Sequence, residues 1–303
     1  MCPEKMHVDQ LDIDEPLVRR LLAGQFPHWA DLSIARVKST GTENAIYRLG
    51  DDLAIRLPYR SVNTTQVDKD HRWLPLLSPH LPLPIPVPVA KGAPAEGYPS
   101  QWSVCRWLPG ENATLDRLAD LSQAAKDLAK FIHTLQQIDS ADGPAPGAHN
   151  FFRGIPLADR DGYTRAAIAE SAGLVDSDAV TAAWERDLQA PVWGESPVWI
   201  HGDLAPGNLL ALSGRLSGVI DWGGLAVGDP ATELLPAWNL FQRESRGAFR
   251  AAIDVDDATW ARGRGLALSC ALVALPYYLE TNSVIVRWAQ YMIDEVLEDH
   301  KRG

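Results

Sequence analysis

Cysteine is scarce in this chain: there are three in 303 residues, at Cys2, Cys105 and Cys270, far apart and one necessarily unpaired. That spacing excludes a disulfide framework and a thiolate zinc site, and it suits a reducing compartment. Positive charge is also in deficit. Lys and Arg total 28 against 39 Asp and Glu, a formal net charge of −11. No Lys/Arg block offsets it, so the chain lacks the basic face that nucleic-acid binding requires. Long apolar runs are missing as well. The longest, Leu266 to Leu279, is broken by Ser269, Cys270 and Pro276 and reads as a buried helix rather than a membrane span. The first ten residues carry Glu4, Lys5 and Asp9 without an apolar stretch, which is no signal peptide. The expectation is a cytoplasmic protein without a nucleic-acid or membrane partner. An acidic surface would suit a cationic substrate, and it serves solubility equally well.

Several catalytic signatures are absent too: no G-x-x-x-x-G-K-[ST], no G-x-G-x-x-G and no G-x-S-x-G occurs. What is present organises the chain into two parts. Leu17 to Phe26 has helical apolar spacing. Short β-like runs follow at Ser33–Lys38, Ala45–Leu49 and Leu53–Leu57, the last two joined by the hairpin signal Gly50-Asp51-Asp52. Thr65 to Leu77 reads as a helix and Gln101 to Trp107 as a strand. Between them, Leu81 to Val89 alternates proline with aliphatics, which forbids helix and a central ladder position and leaves an extended connector into an edge strand. After Trp107-Leu108-Pro109-Gly110 the character changes. Leu115 to Ile138 spaces Leu118, Leu121, Ala125, Leu128, Ile132 and Leu135 at three- and four-residue steps, which predicts a long amphipathic helix. The Asp142–Gly147 segment, rich in Pro and Gly, is a loop. From about Asp159 helices dominate, apart from strand-like runs at Val198–Ile200, Leu209–Leu212 and Leu216–Ile220.

The chemistry concentrates between Val198 and Asp229. A buried-strand run, Val198-Trp199-Ile200, delivers His201-Gly202-Asp203, and Leu204-Ala205-Pro206-Gly207 must then turn tightly to Asn208. Leu209–Leu212 and Leu216–Ile220 form a hairpin around Ser213-Gly214, so Asn208 and Asp221 become cross-strand neighbours at one end. Paired oxygen donors there suit Mg²⁺, a hard cation that keeps positions open for nucleotide phosphates. Asp203, on the preceding loop, is placed to face a substrate hydroxyl. Phosphoryl transfer asks for this set: a loop carboxylate that orients the hydroxyl, and an amide and a second carboxylate on the metal. The bland alternatives are a strand-capping Asp-Trp and a common His-Gly-Asp. Half of a metallohydrolase site is another, although His133 and His149 lack ligand spacing.

The run His201-Gly202-Asp203-Leu204-Ala205-Pro206-Gly207-Asn208 resembles the catalytic loop of the aminoglycoside phosphotransferase family, the antibiotic kinases with a protein-kinase-like fold. Gly218-Val219-Ile220-Asp221-Trp222-Gly223 is similar to that family's metal-binding segment, and Gly228-Asp229-Pro230-Ala231 to the stretch that follows it. The resemblance implies an α+β, bilobal protein-kinase-like fold. Residues 1–107 would be a small β-rich nucleotide-binding lobe, and residues 108–303 a larger, mainly helical lobe for catalysis and acceptor binding.

It also implies roles for single residues. Asp203 would be the base on the acceptor hydroxyl, and Asn208 and Asp221 the Mg²⁺ ligands. His201 and Asp229 would support the catalytic loop, Asp229 doubling as an N-cap for a helix at Pro230. Thr40, Gly41 and Thr42 would lie in the loop over the nucleotide. Arg56 stands where the family carries a phosphate-contacting lysine, keeping the charge while adding a planar fork, and Asp70 stands in for the partner glutamate. Arg106, Trp107 and Leu108 fall where the interlobe hinge meets the base. Acceptor-binding candidates are Glu233, Trp238, Tyr277, Tyr278 and Glu280, since aromatic faces stack on sugar rings and carboxylates pair with ammonium groups.

The implied reaction is Mg²⁺-dependent transfer from ATP or GTP to a small-molecule hydroxyl acceptor, of aminoglycoside or macrolide type. A metabolic acceptor (choline, a sugar or an amino acid) and a non-catalytic nucleotide-binding protein are the alternatives. No A-P-E follows Asp221, which argues against a protein kinase.

Overall fold

The computed structural model describes residues 10–37, 43–60 and 64–302. Thr40, Gly41 and Thr42, assigned to the nucleotide-covering loop, lie outside them. The chain forms two compact units, Met1–Gly110 with Ser217–Ile220, and Glu111–Leu216 with Asp221–Gly303.

The smaller unit begins with α1, Glu15–Gln25. Asp14 caps it by accepting the Leu17 N–H at 2.9 Å, and Leu17, Val18, Leu21 and Leu22 turn one apolar stripe inward. The strands are β1 (Ile34–Arg36), β2 (Asn44–Leu49), β3 (Leu53–Pro58), β4 (Pro88–Gly92) and β5 (Trp102–Arg106), with helix α2 (Thr64–Leu77) between β3 and β4. They make an antiparallel sheet in the order β1-β2-β3-β5-β4. Gly50, at φ +57°, permits the tight turn that sets Leu49 opposite Leu53. The proline-rich connector ends in β4, an edge strand whose register shifts between Pro88 and Ala90, where proline offers no N–H to the ladder. Tyr47, Leu49, Ile55, Leu57, Trp102 and Val104 form the buried face against α1. The tail of β9 (Arg215–Val219) belongs to this unit through the Val219 N–H, which donates to Pro84 O at 3.0 Å.

The larger unit carries β6 (Glu111–Asn112), α3 (Leu121–Gln136), α4 (Asp161–Glu170), α5 (Ser177–Asp187), β7 (Val198–Ile200), β8 (Leu209–Leu212), β10 (Ala226–Gly228), α6 (Pro236–Asn239), α7 (Arg243–Ile253), α8 (Asp257–Tyr278) and α9 (Ser283–His300). The amphipathic helix starts at Leu121, six residues later than its periodicity predicts. Asp120 caps it there, accepting the Gln123 N–H at 2.9 Å, and a capped start outweighs an apolar pattern that continues upstream. Helix α8 contains the apolar run from Leu266 as far as Tyr278, with Leu279 as its C-cap, and buries Leu266, Ala267, Leu268, Ala271, Leu272 and Leu275, as a core helix does. Among the described residues no helix is long and apolar enough to cross a membrane.

Three helices of this unit are joined by buried charge. Asp187, at the end of α5, is fully buried and accepts from Arg264 Nη2 of α8 at 2.8 Å and Nε at 3.2 Å. His300 Nε2 of α9 lies 3.0 Å from its other oxygen, and Arg264 Nη1 reaches Asp299 at 3.1 Å. Removing one member of a buried pair strands the other's charge, at about 3–5 kcal/mol. Asp187→Ala is expected to lower stability by that amount in chemical denaturation. An unchanged midpoint and slope would show that solvent already screens the pair.

Candidate active site

Two loops come together because their flanking strands pair. Ile200, the last residue of β7, lies opposite Ala226, the first of β10, in an antiparallel ladder. The segment leaving β7 at His201 therefore runs beside the segment that leads from Asp221 into β10. Their backbones touch where each has a glycine. A Cβ on Gly202 would meet Gly224 O at 2.4 Å, and one on Gly224 would meet His201 O at 2.6 Å. Gly202 also has φ +83°, so its position excludes a side chain on two counts.

Asp203 follows, and its side chain is 46% exposed, open to solvent and to a ligand. Pro206 starts a short 3-10 turn, Pro206–Asn208, that brings Asn208 back onto the loop. Asn208 Nδ2 donates to Asp203 O at 2.8 Å and to Asp203 Oδ2 at 2.9 Å. Those two bonds fix the amide plane and direct its carbonyl oxygen away from Asp203. Asn208 immediately precedes β8, and Asp221 stands two residues beyond β9. Asp221 adopts the left-handed region at φ 61°, ψ 72°, a conformation that costs a non-glycine residue free energy and is held only by its surroundings.

The loop rests on buried polar groups. His201 is fully buried, its Nδ1 accepting the Asp203 N–H at 3.2 Å and its ring edge-on to Trp222 at 4.7 Å. Trp222 in turn packs against Phe131 of α3. Asn239 Nδ2 donates to Leu204 O at 2.9 Å. Glu233 and Trp238 require a correction. Both were assigned to the acceptor, and both are fully buried. Glu233 Oε1 accepts the Gly202 N–H at 2.9 Å from inside the unit, and Trp238 packs on Trp260 at 4.8 Å. Burial inside the unit, away from solvent, sets both apart from the surface.

Asp229 caps the turn at Pro230, accepting the Ala231 N–H at 2.9 Å. It also pairs in fork fashion with Arg262, Nε to Oδ2 at 2.7 Å and Nη2 to Oδ1 at 3.2 Å. Its side-chain bonds run to α8 and its own turn, whereas Glu233 is the carboxyl group bonded to the loop that starts at His201. Tyr277 (62% exposed) and Glu280 lie on the surface at the end of α8, with Tyr278 edge-on to Tyr277 at 4.7 Å.

Arg153 was missed in the sequence. Its Nη2 stands 3.7 Å from Asp203 Oδ1, and its Nη1 donates to Cys270 Sγ on α8. No local pattern marks an arginine fifty residues upstream. The one trace is Asn150 near Gly147 and Gly154 in a segment otherwise read as loop.

In the smaller unit, Arg56 of β3 and Asp70 of α2 form an ion pair at 3.2 Å, Nη1 to Oδ2, with little exposure of either. Gln66 Nε2 also donates to Asp70. Arg106 is exposed, its N–H bound to Val87 O at 3.0 Å. The Trp107 N–H donates to Asp52 O at 2.8 Å, and the Arg48 guanidinium covers the Trp107 ring at 5.0 Å. Leu108 is half-buried.

Burial pushes the Glu233 carboxyl up to about 7, against the opposing pull of the Gly202 and His201 N–H groups, and the Asp203 charge adds to the rise. A carboxyl raised above its ordinary 4.5 contributes stability that is fully present below 4.5 and lost as pH climbs through about 7. The stability of the wild type relative to Glu233→Gln is therefore expected to fall by on the order of 3 kcal/mol between pH 4.5 and 8 in denaturant titrations. A pH-independent difference would contradict this placement of the carboxyl.

Comparison with solved structures gives close matches in fold. The GDP and kanamycin complex of APH(2")-IIia aligns at a TM-score of 0.73 and 21% identity, covering 94% of this chain and 99% of that one. The GDP complex of wild-type aminoglycoside 2'-phosphotransferase-IIIa aligns at 0.74 and 18%, covering 95% and 100%. The macrolide 2'-phosphotransferase MphH from Brachybacterium faecium aligns at 0.62 and 22%, covering 93% and 98%. Comparison with curated proteins gives no match. The α+β fold is thus that of the antibiotic kinases. The model of the phosphotransferase enzyme family matches residues 35–266, which include β2 to β10 and both loops of the site, and the chain belongs to that family.

Proposed function

We propose that this chain transfers the γ-phosphoryl group of ATP or GTP, with Mg²⁺, to a hydroxyl of a small molecule. The observation that carries this reading is the solvent-accessible Asp203 carboxylate locked to Asn208 beside the strained Asp221 loop. In the reaction, a bond forms between the acceptor oxygen and the γ-phosphorus as the bond to the bridging oxygen breaks. Asp203 orients the hydroxyl and takes its proton, and the nucleoside diphosphate leaves.

The donor set fits Mg²⁺. Asn208 spends its NH₂ on Asp203, so its carbonyl oxygen is the atom left for a cation, and Asp221 supplies a carboxylate. Among the described residues no group of three or more His, Cys, Asp or Glu could form a closed metal cage. An open site with few oxygen donors suits a hard cation that shares its ligands with phosphates. When bound, Mg²⁺ would neutralise the charge on those phosphates.

In the smaller unit, Arg56 would hold a nucleotide phosphate, oriented by Asp70. The Arg106 and Trp107 N–H groups are committed to the sheet and the turn, which leaves Leu108 to offer backbone groups to the base. Residues 1–107 would thus be the nucleotide-binding part and 108–303 the catalytic part. Relatives solved with GDP, and APH(2'')-Ib solved with ADP, support a nucleotide donor.

Aminoglycoside- or macrolide-like antibiotics are the acceptors that the solved relatives suggest. Tyr277, Tyr278 and Glu280 are the surface candidates for contacting them. A metabolic hydroxyl compound is the second reading, favoured by Arg153, a cation at Asp203 that suits polycationic aminoglycosides poorly.

The test is a nucleotide-consumption screen with Mg²⁺ against aminoglycosides, macrolides and small alcohols. Asp203→Ala is expected to lower turnover by about a hundredfold or more while the protein stays folded. Asp221→Asn is expected to raise the Mg²⁺ concentration needed for half-maximal rate. Normal turnover by Asp203→Ala would refute the mechanism for any acceptor.

A further inference from the structure

The larger unit holds two neighbouring guanidinium groups that phosphoryl transfer leaves unassigned, the first of them beside Asp203. Arg153 Nη2 lies 3.7 Å from Asp203 Oδ1. Arg160 Nε donates to Ser269 Oγ at 3.1 Å, one residue before the Cys270 that Arg153 also contacts. Among the described residues Arg160 has no carboxylate within ion-pair distance, and Asp203 is the one carboxylate at Arg153. The reaction needs that carboxylate for the acceptor hydroxyl, while Arg160 stands close enough to Arg153 for the two positive charges to repel. Positive charge left without a counter-ion in a largely desolvated place is costly. In keeping with this, burial lowers the Arg160 guanidinium from its ordinary value, and repulsion from Arg153 adds to that effect while Cys270 opposes it.

The side on which Arg153 approaches is informative. Asn208 holds Asp203 Oδ2, and Arg153 faces Oδ1. The nucleotide and metal belong with Asn208, so Arg153 marks the opposite, acceptor side of the carboxylate. Its position is built in. Phe151 and Phe152 both take left-handed conformations, at φ 58° and 55°, with 57% and 46% exposure. Such a conformation is strained in a non-glycine residue and persists only where the surroundings hold it. The fully buried Asn150 imposes it: its Oδ1 accepts the Gly147 N–H at 2.9 Å, and its Nδ2 donates to Arg153 O at 2.8 Å and to Gly224 O at 3.2 Å. The arginine is thereby anchored to the loop that carries Asp221.

We propose that Arg153 and Arg160 form an anion-binding subsite, and that the acceptor carries a carboxylate or phosphate close to the hydroxyl it presents to Asp203. This rests on the kinase reading and narrows its acceptor class to hydroxy acids and phosphorylated alcohols, in preference to polycationic or neutral antibiotics. Guanidinium forks match carboxylate and phosphate oxygens equally well. The arms of the test separate the two.

The experiment uses the full chain with MgATP and MgGTP and matched acceptors: glycerate against glycerol, gluconate against glucose, and glycerol 3-phosphate against 1,2-propanediol, with kanamycin and erythromycin as references. The anionic members are expected to have kcat/KM at least about tenfold above their neutral partners, the worth of one charged hydrogen bond. Arg160→Gln is expected to erase most of that advantage through KM, and Arg160→Lys to restore part of it. Preference for neutral or cationic acceptors, or an advantage untouched in Arg160→Gln, would overturn the proposal.

Calorimetric titration of acetate and inorganic phosphate into the same proteins provides a readout apart from turnover. Wild type is expected to bind at one site, about tenfold or more weaker in Arg153→Gln and Arg160→Gln and retained in Arg56→Gln. Arg153→Met and Arg160→Met, which keep the length of the stem and remove the charge, replace either glutamine variant that does not fold. Absence of binding, or its loss in Arg56→Gln alone, would overturn the subsite. Intact Arg160-dependent binding without turnover of any acceptor would support the subsite and count against the kinase reading.

Discussion

The backbone contact between Gly202 and Gly224 is the constraint on which the site depends. It sets the Asp203 loop against the segment that leaves Asp221, at a separation that admits no Cβ on either side. Everything the site can do follows from holding those two carboxylates on adjoining backbones. The β7–β10 ladder brings the loops side by side, but two paired strands alone fix the position of a loop only loosely. The glycine contact, the Glu233 carboxyl beneath Gly202 and the Asn150 amide on Gly224 complete the definition.

The energetics run against stability at several of these points. A buried carboxyl pushed up to about 7, a left-handed Asp221 and two left-handed phenylalanines all cost free energy. The surrounding unit offsets this with a large apolar core. Strain is stored where geometry matters and compensated where only packing matters. The placement of Arg153 fits the same pattern, since its strained approach segment leads directly to Asp203.

The sequence showed local order well and tertiary placement poorly. The β2–β3 hairpin, the edge position of the proline-rich strand and the core character of α8 were all legible, because turn chemistry, missing N–H groups and apolar runs act locally. The start of α3 was not, since one capping aspartate overrode a longer apolar pattern. In the site, the residues contiguous along the chain from His201 to Asn208 were readable as a unit. Glu233 and Trp238 were assigned to a ligand by residue type, whereas burial made one a support for backbone N–H groups and the other core. Arg153 escaped notice because its partner, Asp203, is fifty positions away and no periodicity links them.

The most direct test of this account compares Gly224→Ala with Gly223→Ala in Mg²⁺-dependent nucleotide turnover, with thermal melts alongside. At Gly223 an added Cβ meets nothing closer than Asp221 Oδ1 at 3.7 Å, an ordinary contact, while at Gly224 it meets His201 O at 2.6 Å. Displacing the two loops by a few tenths of an ångström to an ångström is expected to cost Gly224→Ala about a hundredfold in turnover, with Gly223→Ala far closer to wild type. Equal turnover and Mg²⁺ dependence in the two variants would contradict the claim that this backbone contact sets the site.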